Sequence, residues 1–274
     1  MEIPGWSSAQ PGQFALLKPD LSRCFLARAL SIAGEVGERV SFLVSPVGEG
    51  TRELCGLREG ADIWVLGPLG NGFDMERVSG SSRLLVVAGG VGAAPFPLLL
   101  SWLTVRFGST WGKDVSTEPP ASGKTSAPRA GRSPEVVVLL GFRDASQARG
   151  AGPVIEAVSR SKEAGLSCRL VMVTEDGSQG PAEKVTDVLS RELLPHDRVV
   201  VCGPRAMSVS VWGLCCTVPD VQAWFSLEAG MACGVGSCYG CALPLADGSV
   251  ARVCRDGPVF SGETVFDKIR RDGP

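Results

Sequence analysis

The sequence predicts a small antiparallel β-barrel, then a parallel, doubly wound α/β domain, then a cysteine-bearing C-terminal module. Three observations lead there. Short apolar runs broken by Gly- and Pro-containing turns fill the first 80 or so residues, and apolar runs of strand and helix length alternate after them. Four of the ten cysteines then fall between Cys233 and Cys254. At 274 residues, 44% of them apolar, the chain has material for two cores and an appendage.

In the first unit, residues 1–80, the runs 14–17, 40–45 and 62–66 have the spacing of barrel strands. In the second unit, residues 81–220, the run 84–88 is a continuous apolar strand that leads through a glycine turn into a helix over 97–107. Strands over 135–141, 169–174 and 198–202 alternate with helices over 152–164 and 182–193, which implies a parallel sheet. Residues 108–134 are rich in Ser, Thr, Pro and Gly without periodicity and read as a disordered insertion. Residues 221–274 form the third unit.

Composition excludes several functions. A net charge of −2 and a single tyrosine, Tyr239, give no case for nucleic acid. A single histidine, His196, removes most zinc and imidazole chemistry, so the chemistry must sit on a cofactor or on cysteine. The N-terminus lacks the basic-then-apolar start of a signal peptide, so clustered cysteines read as metal ligands rather than a secreted disulfide framework. The apolar stretch 84–103 contains Gly89, Gly90, Gly92, Pro95 and Pro97, which would break a membrane-spanning helix. No membrane association is expected.

The strongest motif is Cys233-Gly-Val-Gly-Ser-Cys238-Tyr-Gly-Cys241, followed by Cys254. Its C-x4-C-x2-C…C spacing is that of plant-type [2Fe–2S] clusters. Gly234, Gly236 and Gly240 allow a loop to wrap a cluster and aim backbone N–H groups at its sulfurs. A zinc knuckle or inert buried cysteines are the other readings; zinc usually shows two paired C-x2-C arms, and Cys254 has no such partner.

The run Gly89-Gly90-Val-Gly92 between strand and helix could receive a dinucleotide pyrophosphate, although it is not G-x-G-x-x-G and plain turn geometry explains it equally well. Glu175 and Asp176, at the end of a later strand, could accept from ribose hydroxyls and repel a 2′-phosphate, which would favour NADH; a solvated acidic turn is the competing reading. Cys202, after the strand 198–202, is more often packing than chemistry. Arg28 with Ser31, and Gly50 with Thr51, could hold a flavin pyrophosphate, but such residues are common in barrel loops.

Taken in order, these pieces resemble the electron-transfer subunits of class 1B dihydroorotate dehydrogenases, a branch of the ferredoxin reductase-like family. The resemblance rests on Pro11-Gly-Gln-Phe14, Arg28-Ala-Leu-Ser-Ile32, Leu66-Gly-Pro-Leu-Gly-Asn-Gly-Phe73, Cys202-Gly-Pro204, Met231 to Cys241 and Val253-Cys-Arg-Asp-Gly-Pro-Val-Phe260, among other runs between residues 11 and 260. It implies FAD between barrel and NAD-binding domain, lined by Arg28, Ala29, Leu30, Ser31, Leu43, Val44, Ser45, Gly50 and Thr51. It implies NAD(H) as substrate and a [2Fe–2S] cluster on Cys233, Cys238, Cys241 and Cys254. It also implies an FMN-containing catalytic partner that oxidises dihydroorotate, in a cytoplasmic assembly of two plus two chains. FAD would perform the two-to-one electron conversion, with no side chain acting as nucleophile or base. This chain departs from the family in having Ala27-Arg28-Ala29 where Arg-Arg-Pro is common, in a segment before Pro11 too short for the family's first barrel strands, and in the insertion. Two alternatives stand beside this reading: an NADH-dependent reductase subunit of a sulfur-reducing or hydrogenase complex, and a cluster-binding regulator without FAD.

Overall fold

A computed structural model describes residues 1–108 and 133–266; the expected disordered insertion falls, apart from its ends, outside them. The first strands are β1 (Phe14–Pro19), β2 (Arg28–Val36), β3 (Arg39–Phe42) and β4 (Ile63–Leu69). They form an antiparallel sheet in the order β3-β2-β1-β4. Residues 1–3 run beside β3, where Ile3 N donates to Glu38 O and Val40 N to Met1 O, both at 2.8 Å. The expected strand over 40–45 stops at Phe42, and residues 43–48 leave the sheet for the short helix Glu49–Cys55. Pro46 in that connection has no N–H to give a ladder.

The second sheet contains β5 (Arg83–Gly89), β6 (Glu135–Phe142), β7 (Cys168–Thr174), β8 (Arg198–Cys202) and β9 (Gln222–Ser226). A hairpin follows, β10 (Ala242–Pro244) with β11 (Val250–Arg252), and then β12 (Val259–Ser261). The order is β12-β9-β8-β5-β6-β7, parallel throughout except that β12 is antiparallel to β9. Leu85 and Val87 face one core and Leu84, Val86 and Ala88 the other. Both faces are covered, which is why β5 reads as an unbroken apolar run. Helices Phe96–Phe107 and Gly152–Glu163 cover one face, and Val185–Glu192 with Arg205–Thr217 the other.

Leu98 packs with Ile32 and Val40 and so fastens the first sheet to the α/β domain. The stretch Gly90–Phe107 is long and apolar enough by composition to cross a membrane, but half of it is buried inside the protein. Among the elements not anticipated are helix Arg205–Thr217 and β9. Ser208, Val211, Trp212 and Cys215 form the helix's buried stripe, but Val209 and Leu214 on other faces blur its period. The helix expected over 182–193 starts only at Val185, because Ala182 still bridges to Thr174.

Beyond the cysteines the chain returns to both sheets. Val259 pairs with Ser226 and Phe260 with Phe225, while Asn71 N donates to Gly257 O at 2.6 Å and Asn71 Nδ2 to Arg255 O at 2.9 Å. Phe225 and Phe266 meet edge to face at 4.9 Å. The cysteine segment is thus stitched to the α/β domain on one side and to the β4–β5 connection on the other. At the opposite, amino end of the parallel strands, Arg83 joins Asp197 at 2.8 Å and Glu192 at 2.9 Å, and Arg169 joins Glu192 at 2.7 Å.

Candidate cofactor and metal site

The cysteine loop is shaped by three residues at positive φ: Gly234 (70°), Gly236 (85°) and Tyr239 (57°). A Cβ at Gly234 would lie 2.6 Å from Leu16 Cδ1, so only glycine lets the loop seat against β1 and Leu69. The four cysteines form two pairs. Cys233 Sγ accepts from Cys238 N at 3.4 Å, and the Cys238 thiol is its neighbour. Cys241 Sγ and Cys254 Sγ are 3.2 Å apart, and Cys254 N donates to Cys241 Sγ at 3.4 Å.

The pairs occupy different surroundings. Cys241 and Cys254 are each 2% exposed and belong to the core that Phe14, Leu16 and Val253 also join. Burial, and then the Cys241 thiol, push Cys254 up to about 12. Cys238 is exposed, and the Cys238 and Val235 amides draw Cys233 down to about 6. Among the described residues no three thiols, carboxylates or imidazoles gather around one point as a single ion requires. Two thiol pairs with amides aimed at sulfur suit a two-iron cluster, with two thiolates per iron, better than one tetrahedral zinc.

The residues expected at the flavin come together only in part. Arg28, Ala29, Leu30 and Ser31 begin β2, and the Arg28 guanidinium lies over Gly50, where any Cβ would collide with it. Thr51 closes the start of its helix, accepting from Gly48 N at 3.0 Å. Glu53 in that helix accepts from Ser22 Oγ and from Arg23 N, which hold its carboxyl below the usual range and tie down the β1–β2 loop. Leu43, Val44 and Ser45 are half-buried in the connection before this helix, and Leu43 packs against the α/β core. The Arg28–Gly50 contact is the firmest feature of this group.

At the carboxyl ends of β5 and β8 the glycines serve close approach. A Cβ at Gly89 would lie 2.7 Å from Met207 Sδ, and one at Gly92 would strike the Cys202 carbonyl. Gly90 differs: its φ is 56° and open space lies beside it. Glu175 and Asp176 are exposed just past β7, adjoining β6, where Glu175 N donates to Phe142 O and Asp176 N to Arg143 O. Hydrogen bonds from Ser178 Oγ and Ser178 N hold the Asp176 carboxyl low, so that carboxylate is engaged in its own turn. Cys202 is a packed, protonated thiol, pushed up to about 12 by burial and by the Glu228 charge. Glu228 is exposed just past β9, and the protein packed around its carboxyl raises it above the ordinary range.

Several residues escaped the sequence reading. Ser226 and Glu228 face the Cys202 rim because β9 stands beside β8, so missing β9 hid them. Asn71 was visible only as one letter of a glycine-rich motif. The charged pair Arg252 and Asp256 flanks Cys254 two residues to either side, a pattern that could have been noticed.

The iron–sulfur cluster binding domain of dihydroorotate dehydrogenase B matches residues 228–266. The electron transfer subunit of dihydroorotate dehydrogenase B (NAD(+)) from Clostridium acetobutylicum is 34% identical, covering 97% of this chain and 90% of the relative. The one from Listeria monocytogenes serotype 4b is 32% identical, covering 93% and 87%. Among solved structures, the NADH-dependent reduced ferredoxin–NADP oxidoreductase studied for flavin-based electron bifurcation superposes with a TM-score of 0.66 at 26% identity, covering 94% of this chain and 80% of that one. A ferredoxin NADP+ reductase from Neisseria gonorrhoeae with bound FAD and NADP shares the fold, with a TM-score of 0.54 at 19% identity over 78% and 81% of the two chains.

Proposed function

The chain belongs to the family of dihydroorotate dehydrogenase B electron-transfer subunits, and from that premise we propose how its parts serve that task. It is an oxidoreductase component that passes electrons between a [2Fe–2S] cluster, FAD and NAD(H), in the service of a catalytic subunit of pyrimidine biosynthesis. The observation that supports this most is the arrangement of Cys233 with Cys238 and Cys241 with Cys254 as two thiol pairs on a loop seated against β1. These four hold the cluster. The cluster supplies one-electron exchange, and the flavin converts it to the two-electron chemistry of the nicotinamide.

The remaining roles fall to residues that bind and orient. Arg28, with Gly50 beneath its guanidinium, and Thr51 hold the FAD phosphates. Ala29, Leu30, Ser31, Leu43, Val44 and Ser45 complete that site. Gly89, Gly90 and Gly92 admit the dinucleotide, and Glu175 with Asp176 favours NADH over NADPH. The partner is an FMN-containing dihydroorotate dehydrogenase chain in a cytoplasmic assembly of two plus two. It docks on the exposed pair's side, where Val235 and Tyr239 are 49% and 59% exposed.

The test is reconstitution. Alone, the purified chain is expected to reduce artificial acceptors with NADH and to leave dihydroorotate untouched; dihydroorotate-dependent NAD+ reduction is expected only after the catalytic chain is added. Turnover of dihydroorotate by the single chain would sink the reading. The resemblance to the NADH-dependent ferredoxin–NADP oxidoreductase favours a second reading, a reductase subunit of a different complex. That reading gains if another flavoprotein copurifies and the dihydroorotate chain does not bind.

A further inference from the structure

One side chain holds the exposed half of the cysteine loop in shape. Arg252, the last residue of β11, donates from Nη1 to the Gly236 carbonyl at 3.1 Å and places its guanidinium 5.1 Å from the centre of the Tyr239 ring. Asp256 holds that guanidinium, with Nε to Oδ2 at 3.2 Å, and also accepts from Arg252 N at 2.8 Å. The Arg252 side chain is only 20% exposed. It lies close to two of the cysteines, since it stands two residues before Cys254 and pairs with Ala242, next to Cys241. Arg255 packs on the other side of Gly236, where a Cβ would lie 2.7 Å from Arg255 Cδ.

The consequence runs through one peptide plane. The Gly236–Ser237 bond is trans, so its carbonyl and N–H point in opposite directions. Tying the carbonyl to Arg252 turns the Ser237 N–H the other way, toward Cys233, whose sulfur also receives the Val235 and Cys238 amides. The potential of an iron–sulfur cluster depends on net charge, on hydrogen bonds to sulfur and on exposure. Arg252 acts on the first two, and Asp256 opposes it on the first.

We propose that Arg252 is a positioning residue that raises the reduction potential of the cluster, by its own charge and by fixing the Gly236–Ser237 peptide, and that Asp256 moderates it. This rests on the reading that the four cysteines hold a [2Fe–2S] centre. The added electron is favoured by the nearby guanidinium and disfavoured by the carboxylate, so removing the two charges shifts the potential in opposite directions. General loosening of the loop would shift both the same way.

The experiment is an EPR-monitored redox titration of the anaerobically purified full chain, with iron and sulfide analysis of each variant. Arg252→Gln is expected to lower the potential, changing the oxidised-to-reduced ratio at fixed ambient potential by up to about tenfold, or about 59 mV for one electron. Asp256→Asn is expected to raise it, and Arg252→Lys to fall between wild type and Arg252→Gln. Equal direction for Arg252→Gln and Asp256→Asn, or no movement in either, overturns the inference. Should Arg252→Gln hold no cluster, an Asp256→Asn potential at or below wild type overturns it alone. Wild-type protein lacking a [2Fe–2S] centre defeats the four-cysteine reading and this inference with it, whereas a normal centre indifferent to both charges defeats only this inference.

Discussion

The cysteine loop and the carboxyl end of the parallel sheet are built on opposite principles. The loop works through side chains: four thiols in two pairs, each with a defined neighbour. The carboxyl end of the sheet works through backbone, where Gly89 and Gly92 are bare so that the Cys202–Pro204 turn and Met207 can approach. Its charged side chains, Glu175 and Asp176, lie outside at the rim. Substitution in the loop therefore removes a function. Under the glycines it disturbs packing, and at the rim it is expected only to adjust selectivity.

The contrast is open to attack in order of expected size. Cys238→Ser should reduce iron and sulfide from about two of each per chain to near zero, while Cys24→Ser, far from the loop in sequence and outside the thiol pairs, should retain both. Full iron in Cys238→Ser would show that the pairs are not the ligand set. Gly92→Ala comes next. Its methyl would meet the Cys202 carbonyl and come within 2.7 Å of Gly203 Cα, which are backbone atoms that cannot rotate away. A loss of about 1–3 kcal/mol in stability, typical of overpacking, is expected by denaturant unfolding, with iron content unchanged. A neutral Gly92→Ala would mean that this turn is looser than the packing implies.

Replacing Glu175 and Asp176 together with Gln and Asn should narrow the NADH-over-NADPH ratio of kcat/KM with iron content unchanged. Better turnover with NADPH in the unmodified protein would remove these residues from selectivity. The smallest effect is expected far from both sites. The Arg169 hydrogen bonds, with Arg83 adding to them, hold the Glu192 carboxyl below its ordinary value. A depressed folded-state value contributes stability above the unfolded pKa of about 4.3 and loses it as pH falls through the folded value. Glu192→Gln should accordingly flatten the acid limb of a pH–stability curve and leave cofactor content alone; an unchanged acid limb would discard this linkage.

The same division explains what could be read from the amino acids. A motif made of side chains is written in spacing, so the cysteine cluster was legible at once, and the matching family model falls on that segment. The strands of the α/β domain were legible because burial on both faces turns β5, β6 and β8 into continuous apolar runs. Helix Arg205–Thr217 and β9 were not, since apolar residues such as Val209 and Leu214 stand off the helix's buried stripe. With β9 went Ser226 and Glu228. At Gly89 and Gly92 the atoms that approach closely belong to the protein itself, a tertiary fact that no local pattern encodes. The contact of Arg28 with Gly50 likewise joins two stretches that periodicity cannot relate.

The position of β12 bears on how the protein is made. Until Val259–Ser261 pairs with β9, the strand bearing Trp224 and Phe225 is an open edge, the kind of surface on which unfinished chains aggregate. All four cysteines leave the ribosome before the residues that close that edge. The nascent chain thus presents its four clustered cysteines while the sheet beside them is still unsealed.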